Sequence, residues 1–131
     1  MKFYGKVDEY LLIDDALNAA DMAWWLMELP SGAIFFSPKK ITMLGYDAKD
    51  VDKFIHYKSF TDLVHPDDYE PLMQAMRDHI DGTKKSYVAR YRIRNTAGEY
   101  VVFQDKGKVV GRKDDGSLAV VGIVALVTEN D

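Results

Sequence analysis

The chain has 131 residues, 47% hydrophobic and 29% charged, which suits one globular domain with its own core and excludes a disordered chain or two full domains. A net charge of −4 gives no basic face for nucleic acid, and the lack of cysteine removes disulfides, thiol chemistry and cysteine-held metal while fitting a reducing cytosol. The N-terminal Met1 to Lys6 is too soon charged to read as a signal peptide, and no apolar run nears the ~18 residues that cross a bilayer. A cytoplasmic protein without direct membrane insertion is therefore expected.

From Val7 to Ala20 the residues Tyr10, Ile13, Leu17 and Ala20 recur at spacings of three and four, with Asp14, Asp15 and Asn18 on other faces. The spacing predicts an amphipathic helix. Met22 to Leu29 is apolar on both faces, closes at Pro30-Ser31-Gly32 and is followed by Ala33 to Phe36, which predicts a hairpin whose first strand is central. Ser37 as N-cap, Pro38 at the first helical position and Gly45 as stop bound a short helix over Lys39 to Leu44. Between Asp47 and Val64 one or two short helices bring Val51, Phe54, Ile55, Phe60, Leu63 and Val64 to the core.

His65-Pro66-Asp67-Asp68 opens the clearest helix, running to Ile80 and ending at Gly82, with Asp68 as its cap and Pro71 in its first turn. Leu72, Met76 and Ile80 form the inward stripe, and Met73 and His79 lie at its margins. Three strand-like runs follow: Ser86 to Arg94, Glu99 to Val110 and Leu118 to Thr128. The links Asn95 to Gly98 and Asp114 to Gly116 are short and polar, so the strands pair antiparallel as a meander. In the first run Tyr87, Ala89, Tyr91 and Ile93 alternate with Arg90, Arg92 and Arg94, which suits an edge, whereas the last run is apolar throughout and belongs at the centre.

This order of elements is similar to that of a PAS domain, and particular residues carry the resemblance. Trp25, Met27 and Gly32 resemble the family's W-x-W-x-x-x-x-G opening, with Met27 for the second tryptophan. Ser37-Pro38 with Met43-Leu44-Gly45-Tyr46 resembles its S-P…L-G-Y segment, and His65-Pro66-Asp67-Asp68 its HPDD helix start. Tyr91-Arg92-Ile93-Arg94 with Gly98 resembles its YRIR…DG hairpin, and Gly122 with Val127-Thr128-Glu129 its closing G…DITE. Leu126 stands where the family has its closing aspartate, and Val102 where the fourth strand usually has tryptophan.

The expected fold is α+β: a five-stranded antiparallel sheet with helices on one face, residues 21–131 forming the PAS sensor domain and 1–20 an N-terminal amphipathic helix. The resemblance implies a sensory or signal-transfer module of a larger bacterial-type protein, of the histidine kinase or diguanylate cyclase class, followed by a C-terminal effector. It senses a small ligand between sheet and helices or transmits by dimerisation. The alternatives are a ligand-free dimerisation module, a haem sensor and a small α+β enzyme.

Candidate pocket residues are Trp25, Phe36, Phe54, Met76, His79, Tyr87, Tyr91 and Phe103, with the tyrosines as orienting polar groups. The plain reading of the aromatic residues is core. Cysteinyl-flavin chemistry is excluded, whereas non-covalent binding of a flavin or of a small metabolite stays open; His79 is the candidate axial ligand for haem, but as a marginal helix residue it is not expected to hold one. His65, Asp67 and Asp68 read as a helix start, no nucleophile is paired with a base, and neither a catalytic nor a metal site is expected. Because the helices from Pro38 to Ile80 cover only one sheet face, the N-terminal helix is expected on the other. Its free edge, Tyr10, Ile13 and Leu17, would join Trp24 and Leu26 in a symmetric homodimer; the bland alternative is a monomer whose helix covers that face.

Overall fold

A computed structural model describes residues 9–127, with side chains from 12 onward, so Tyr10 as a dimer residue and Thr128 and Glu129 of the closing motif lie outside what is described. Helix α1 (Glu9–Ala19) leads into strands β1 (Met22–Leu29) and β2 (Ile34–Phe36), then α2 (Lys39–Thr42) and a 3-10 helix (Ala48–Lys53). Helices α3 (Lys58–Thr61) and α4 (Pro66–Ile80) and strands β3 (Tyr87–Arg94), β4 (Tyr100–Val110) and β5 (Leu118–Val127) complete the chain.

The five strands form one antiparallel sheet in the order β2-β1-β5-β4-β3. The two runs apolar on both faces, β1 and β5, are thus neighbours in its interior, and the arginine-lined β3 is an edge. Segment 63–65 covers that edge: His65 N–H donates to the Arg92 carbonyl, and Arg94 N–H to that of Leu63. The inward parity of each strand meets α2, α3 and α4 in a core that includes Ala23, Trp25, Ile41, Leu44, Phe60, Leu72, Ile93, Phe103, Val120 and Val124. Helix α1 lies against the opposite face, where the Trp24 indole donates to Asp14 Oδ1 at 2.9 Å.

Several local expectations give way to tertiary contacts. The Ser37 hydroxyl is not a helix cap; buried beside β1, it accepts the Trp24 N–H at 3.2 Å. Asp68 does not cap α4, because His65 Nδ1 accepts the Asp67 N–H while Asp68 takes the Arg92 N–H and guanidinium, at 2.8 and 2.9 Å for N–H and Nε. This joins the start of α4 to β3. With Pro66 at the first helical position, Pro71 falls in the second turn. Ile55 is 70% exposed, because its carbonyl accepts the Ile34 N–H beside the Ala33–His56 bridge, which turns its side chain away from the buried Phe54. His79, expected at a margin, is buried.

Candidate functional site

Trp25 sets the floor of the site. It faces inward from β1 opposite Gly122 of β5, which in turn pairs with Gly107 of β4. A Cβ on Gly122 would come within 2.4 Å of Trp25 Cζ2, and one on Gly107 within 2.9 Å of Cη2, so only glycine lets the indole lie flat across both strands. From there Nε1 reaches Asp105 Oδ1 of β4 at 2.8 Å. The other oxygen of Asp105 accepts the Tyr91 hydroxyl of β3 at 2.5 Å. Tyr87 stands edge-on to Trp25, and Phe103 edge-on to Tyr91.

Above this floor lies a cavity of about 340 Å³ between sheet and helices. Met27, Leu29 and Ile34 line it from the first hairpin, Tyr57, Phe60 and Thr61 from α3 and the turn before it, and Leu72, Met73, Met76, Arg77 and Ile80 from α4. One further wall is Lys40, carried inward by α2 next to the buried Ile41 and one turn before the buried Leu44. Its ammonium lies 4.0 Å from the Phe60 ring centre and 5.6 Å from that of Trp25. Among the described residues it makes no hydrogen bond or ion pair, not even with Asp105. Thr61 Oγ1 is also buried without a partner.

Burial brings the Lys40 ammonium down to about 8, a shift that the negative Asp105 partly opposes. Burial likewise raises Asp105 above the usual carboxylate range, against the pull of Lys40 and of the Tyr91 and Trp25 donors. Tyr87 and Tyr91 are pushed well up by burial and by Asp105, so both remain neutral donors. The arrangement offers a cation, an uncommitted hydroxyl on Tyr87 and an apolar wall: a means of orienting one polar head in a largely apolar pocket.

Of the sequence-derived pocket residues, Trp25, Met76, Tyr87 and Tyr91 line the cavity. Phe36 and Phe54 lie beside it in an aromatic cluster with Phe60 and Tyr46, and Phe103 is fully buried beneath Tyr91. His79 points to β4, where Nε2 accepts the Val109 N–H at 2.9 Å and Nδ1 lies 3.0 Å from the Lys84 carbonyl, so both ring nitrogens hold the end of α4 in place. On the outer face Ile13 is 62% exposed, and Leu17, Trp24 and Leu26 are half-buried. Among the described residues no three His, Asp or Glu side chains converge as a metal site would need.

Asp105, Lys40 and Thr61 were not legible as site residues by motif. A signal existed for two of them. Asp105 shares the inward parity of Val101, Phe103, Gly107 and Val109, where a carboxylate needs an explanation, and Lys40 is four residues before Leu44 on the helix stripe.

A family model described as the PAS fold matches residues 33–124. This chain belongs to the PAS-fold family. Similar solved PAS structures include a sensory box histidine kinase/response regulator of Burkholderia thailandensis, with 24% identity, a TM-score of 0.76 and coverage of 94% of this chain and 87% of that one. The N-terminal domain of a diguanylate cyclase with PAS/PAC sensor from Marinobacter aquaeolei gives 23% identity, a TM-score of 0.66 and coverage of 79% and 92%. A PAS domain of Colwellia psychrerythraea gives 15%, 0.68, 93% and 99%. At these identities the likeness is one of fold, and a search of curated proteins finds no match. Among the described residues of this PAS domain no helix is long and apolar enough to cross a membrane.

Proposed function

We propose that this PAS domain is a non-enzymatic, cytoplasmic sensory module of a larger signalling protein, detecting a small ligand in the cavity between sheet and helices. The carrying observation is that, among the described residues, the Lys40 ammonium borders that cavity with no hydrogen-bond acceptor or ion-pair partner. Burying a charge without a paired counter-charge is costly, and a ligand head that met the ammonium would offset that cost. Residues 21–131 would form the sensor and 1–20 a helix preceding it. The Trp25 floor of the cavity rests on Gly122 of β5, the last strand described, so a ligand-dependent shift of that floor would pass along β5 to a C-terminal effector. A histidine kinase or diguanylate cyclase unit fits the company in which two of the similar structures occur.

The test is mass spectrometry of small molecules released on denaturing the purified protein, alongside Met76→Trp, which fills the cavity. Expected is a compound stoichiometric with wild type and lost from a folded variant. Equal amounts released from both proteins, or none from wild type and no thermal shift with any metabolite, overturn the reading.

A second reading, dimerisation through the outer sheet face, draws on Ile13, Phe35 and Val121, which are 62%, 53% and 36% exposed. Leu26 pairs with both Phe35 and Val121, so these side chains form one apolar row across β2, β1 and β5. A second copy seated there would use Leu17, Trp24 and Leu26 as well. Light scattering of the full chain and of a form lacking residues 1–20 decides this: a full chain monomeric at high micromolar concentration rejects the dimer.

A further inference from the structure

Resting on the reading of the cavity as a ligand site, we propose that it takes a small monocarboxylate with an apolar body. The carboxylate is seated on Lys40 Nζ, and the hydrocarbon or aryl part lies against the methionines of α4.

The charge pattern selects an anion. Among the described residues Lys40 is a buried cation without an acceptor, whereas both oxygens of the buried Asp105 carboxylate are occupied, Oδ1 by Trp25 Nε1 and Oδ2 by the Tyr91 hydroxyl. A cationic ligand would face Lys40 and find Asp105 already committed. A neutral head would leave the ammonium without a directly paired counter-charge in an apolar surround.

The same accounting limits the ligand to one negative charge. The other cation at the cavity, Arg77, is tied to Glu70 and Gln74 at the surface, so a second carboxylate would be buried near Asp105 with nothing to balance it. Lys40 Nζ stands over the ring of Phe60 and makes no ion pair with Asp105, which leaves the ammonium open to the head of a ligand. Met27, Leu72, Met73, Met76 and Ile80 supply the remaining wall, soft and adaptable enough for either an alkyl or an aryl body. A cavity of about 150 Å³ holds benzene, so 340 Å³ suits on the order of ten to fifteen non-hydrogen atoms.

The experiment uses matched pairs that differ in charge but hardly in shape: phenylacetate with phenylacetamide, and hexanoate with hexanamide. Affinities are read by Trp fluorescence and calorimetry on wild type, Lys40→Met and Lys40→Gln. Expected is at least tenfold preference for the carboxylate in wild type, and that preference is lost in both Lys40 variants. Near pH 8.5 the wild-type binding heat varies with the ionisation heat of the buffer, because the amine takes up a proton to hold the anion, and Lys40→Met abolishes that dependence. An amide bound as tightly as its carboxylate, or a Lys40→Gln protein that keeps the preference, overturns the inference and leaves the cavity reading intact. Binding of none of the probes to folded wild type also overturns it, and the released-ligand experiment then judges the cavity separately.

Discussion

Trp24 and Trp25 are neighbours in sequence, point to opposite faces of one sheet, and each donates its indole N–H to an aspartate. The outer bond joins Trp24 to Asp14, ten residues back, at 2.9 Å; the inner one joins Trp25 to Asp105, eighty residues on, at 2.8 Å. The two have the same chemistry and nearly the same length, yet their surroundings differ. Asp14 is half-exposed, so water can replace it as acceptor. Asp105 is 4% exposed, receives Tyr91 as well, and has no such substitute. A hydrogen bond counts for little while water can stand in for it, and for much once its loss strands a buried group.

Substituting the two acceptors should separate the faces most widely. Asp105→Ala strands the Trp25 and Tyr91 donors and removes a buried negative charge near Lys40, so about 3–5 kcal/mol of stability should be lost in urea unfolding. Asp14→Ala should cost about 0.5–1 kcal/mol. Comparable losses would reject the distinction. The next effect comes from the inner geometry without touching a polar group: Gly122→Ala drives a methyl into the indole and the Lys106 carbonyl, and should cost about 1–3 kcal/mol with a shifted Trp emission.

The buried cation sharpens the comparison through its pH dependence. Lys40 is held at about 8 in the folded chain against 10.5 for a free lysine, so between those values the unfolded chain binds more protons and wild-type stability should rise with pH. Lys40→Met should therefore be more stable than wild type at pH 7, by about 1–3 kcal/mol, with the advantage shrinking from pH 8 to 10.5. Unfolding curves at pH 7 and 10 check this; an advantage independent of pH would point to packing instead.

A modest effect belongs to a third aspartate, at the surface end of α4. Arg92, through its guanidinium and its N–H, lowers Asp68 to about 2 from 3.8. Its contribution is present above 3.8 and lost as pH falls through about 2. Asp68→Asn should lower Tm by roughly 3–5 °C at pH 6, and the difference should close in acid. A difference that persists at pH 2 would assign the effect to the amide's own bonds.

The framework of the domain was readable from periodicity because apolar burial is repetitive. Met22 to Leu29 and Leu118 to Val127 lack a polar face and lie inside the sheet; Tyr87 to Arg94 alternates and lies at its edge. The cavity chemistry was less readable because it depends on single polar residues whose partners are remote in sequence. Nothing local to Asp105 announces Trp25, and nothing local to Lys40 announces Phe60. His79 shows the same limit, since its partner on β4, Val109, lies thirty residues further along. Ser37 and Asp68 have the composition of helix caps, and only tertiary neighbours divert their side chains to Trp24 and Arg92.

The indole of Trp25 belongs to β1, rests on Gly122 of β5 and is bonded to β4, and so acts as a crossbar over three strands. If β5 slid by one residue, Val121 or Ile123 would come beneath the ring, where there is no room for a side chain, and the inward set would turn outward. Sliding is therefore closed to this sheet as a mode of motion. Any displacement that begins at the crossbar can reach Val127 only as a tilt or a change of twist of the three strands together.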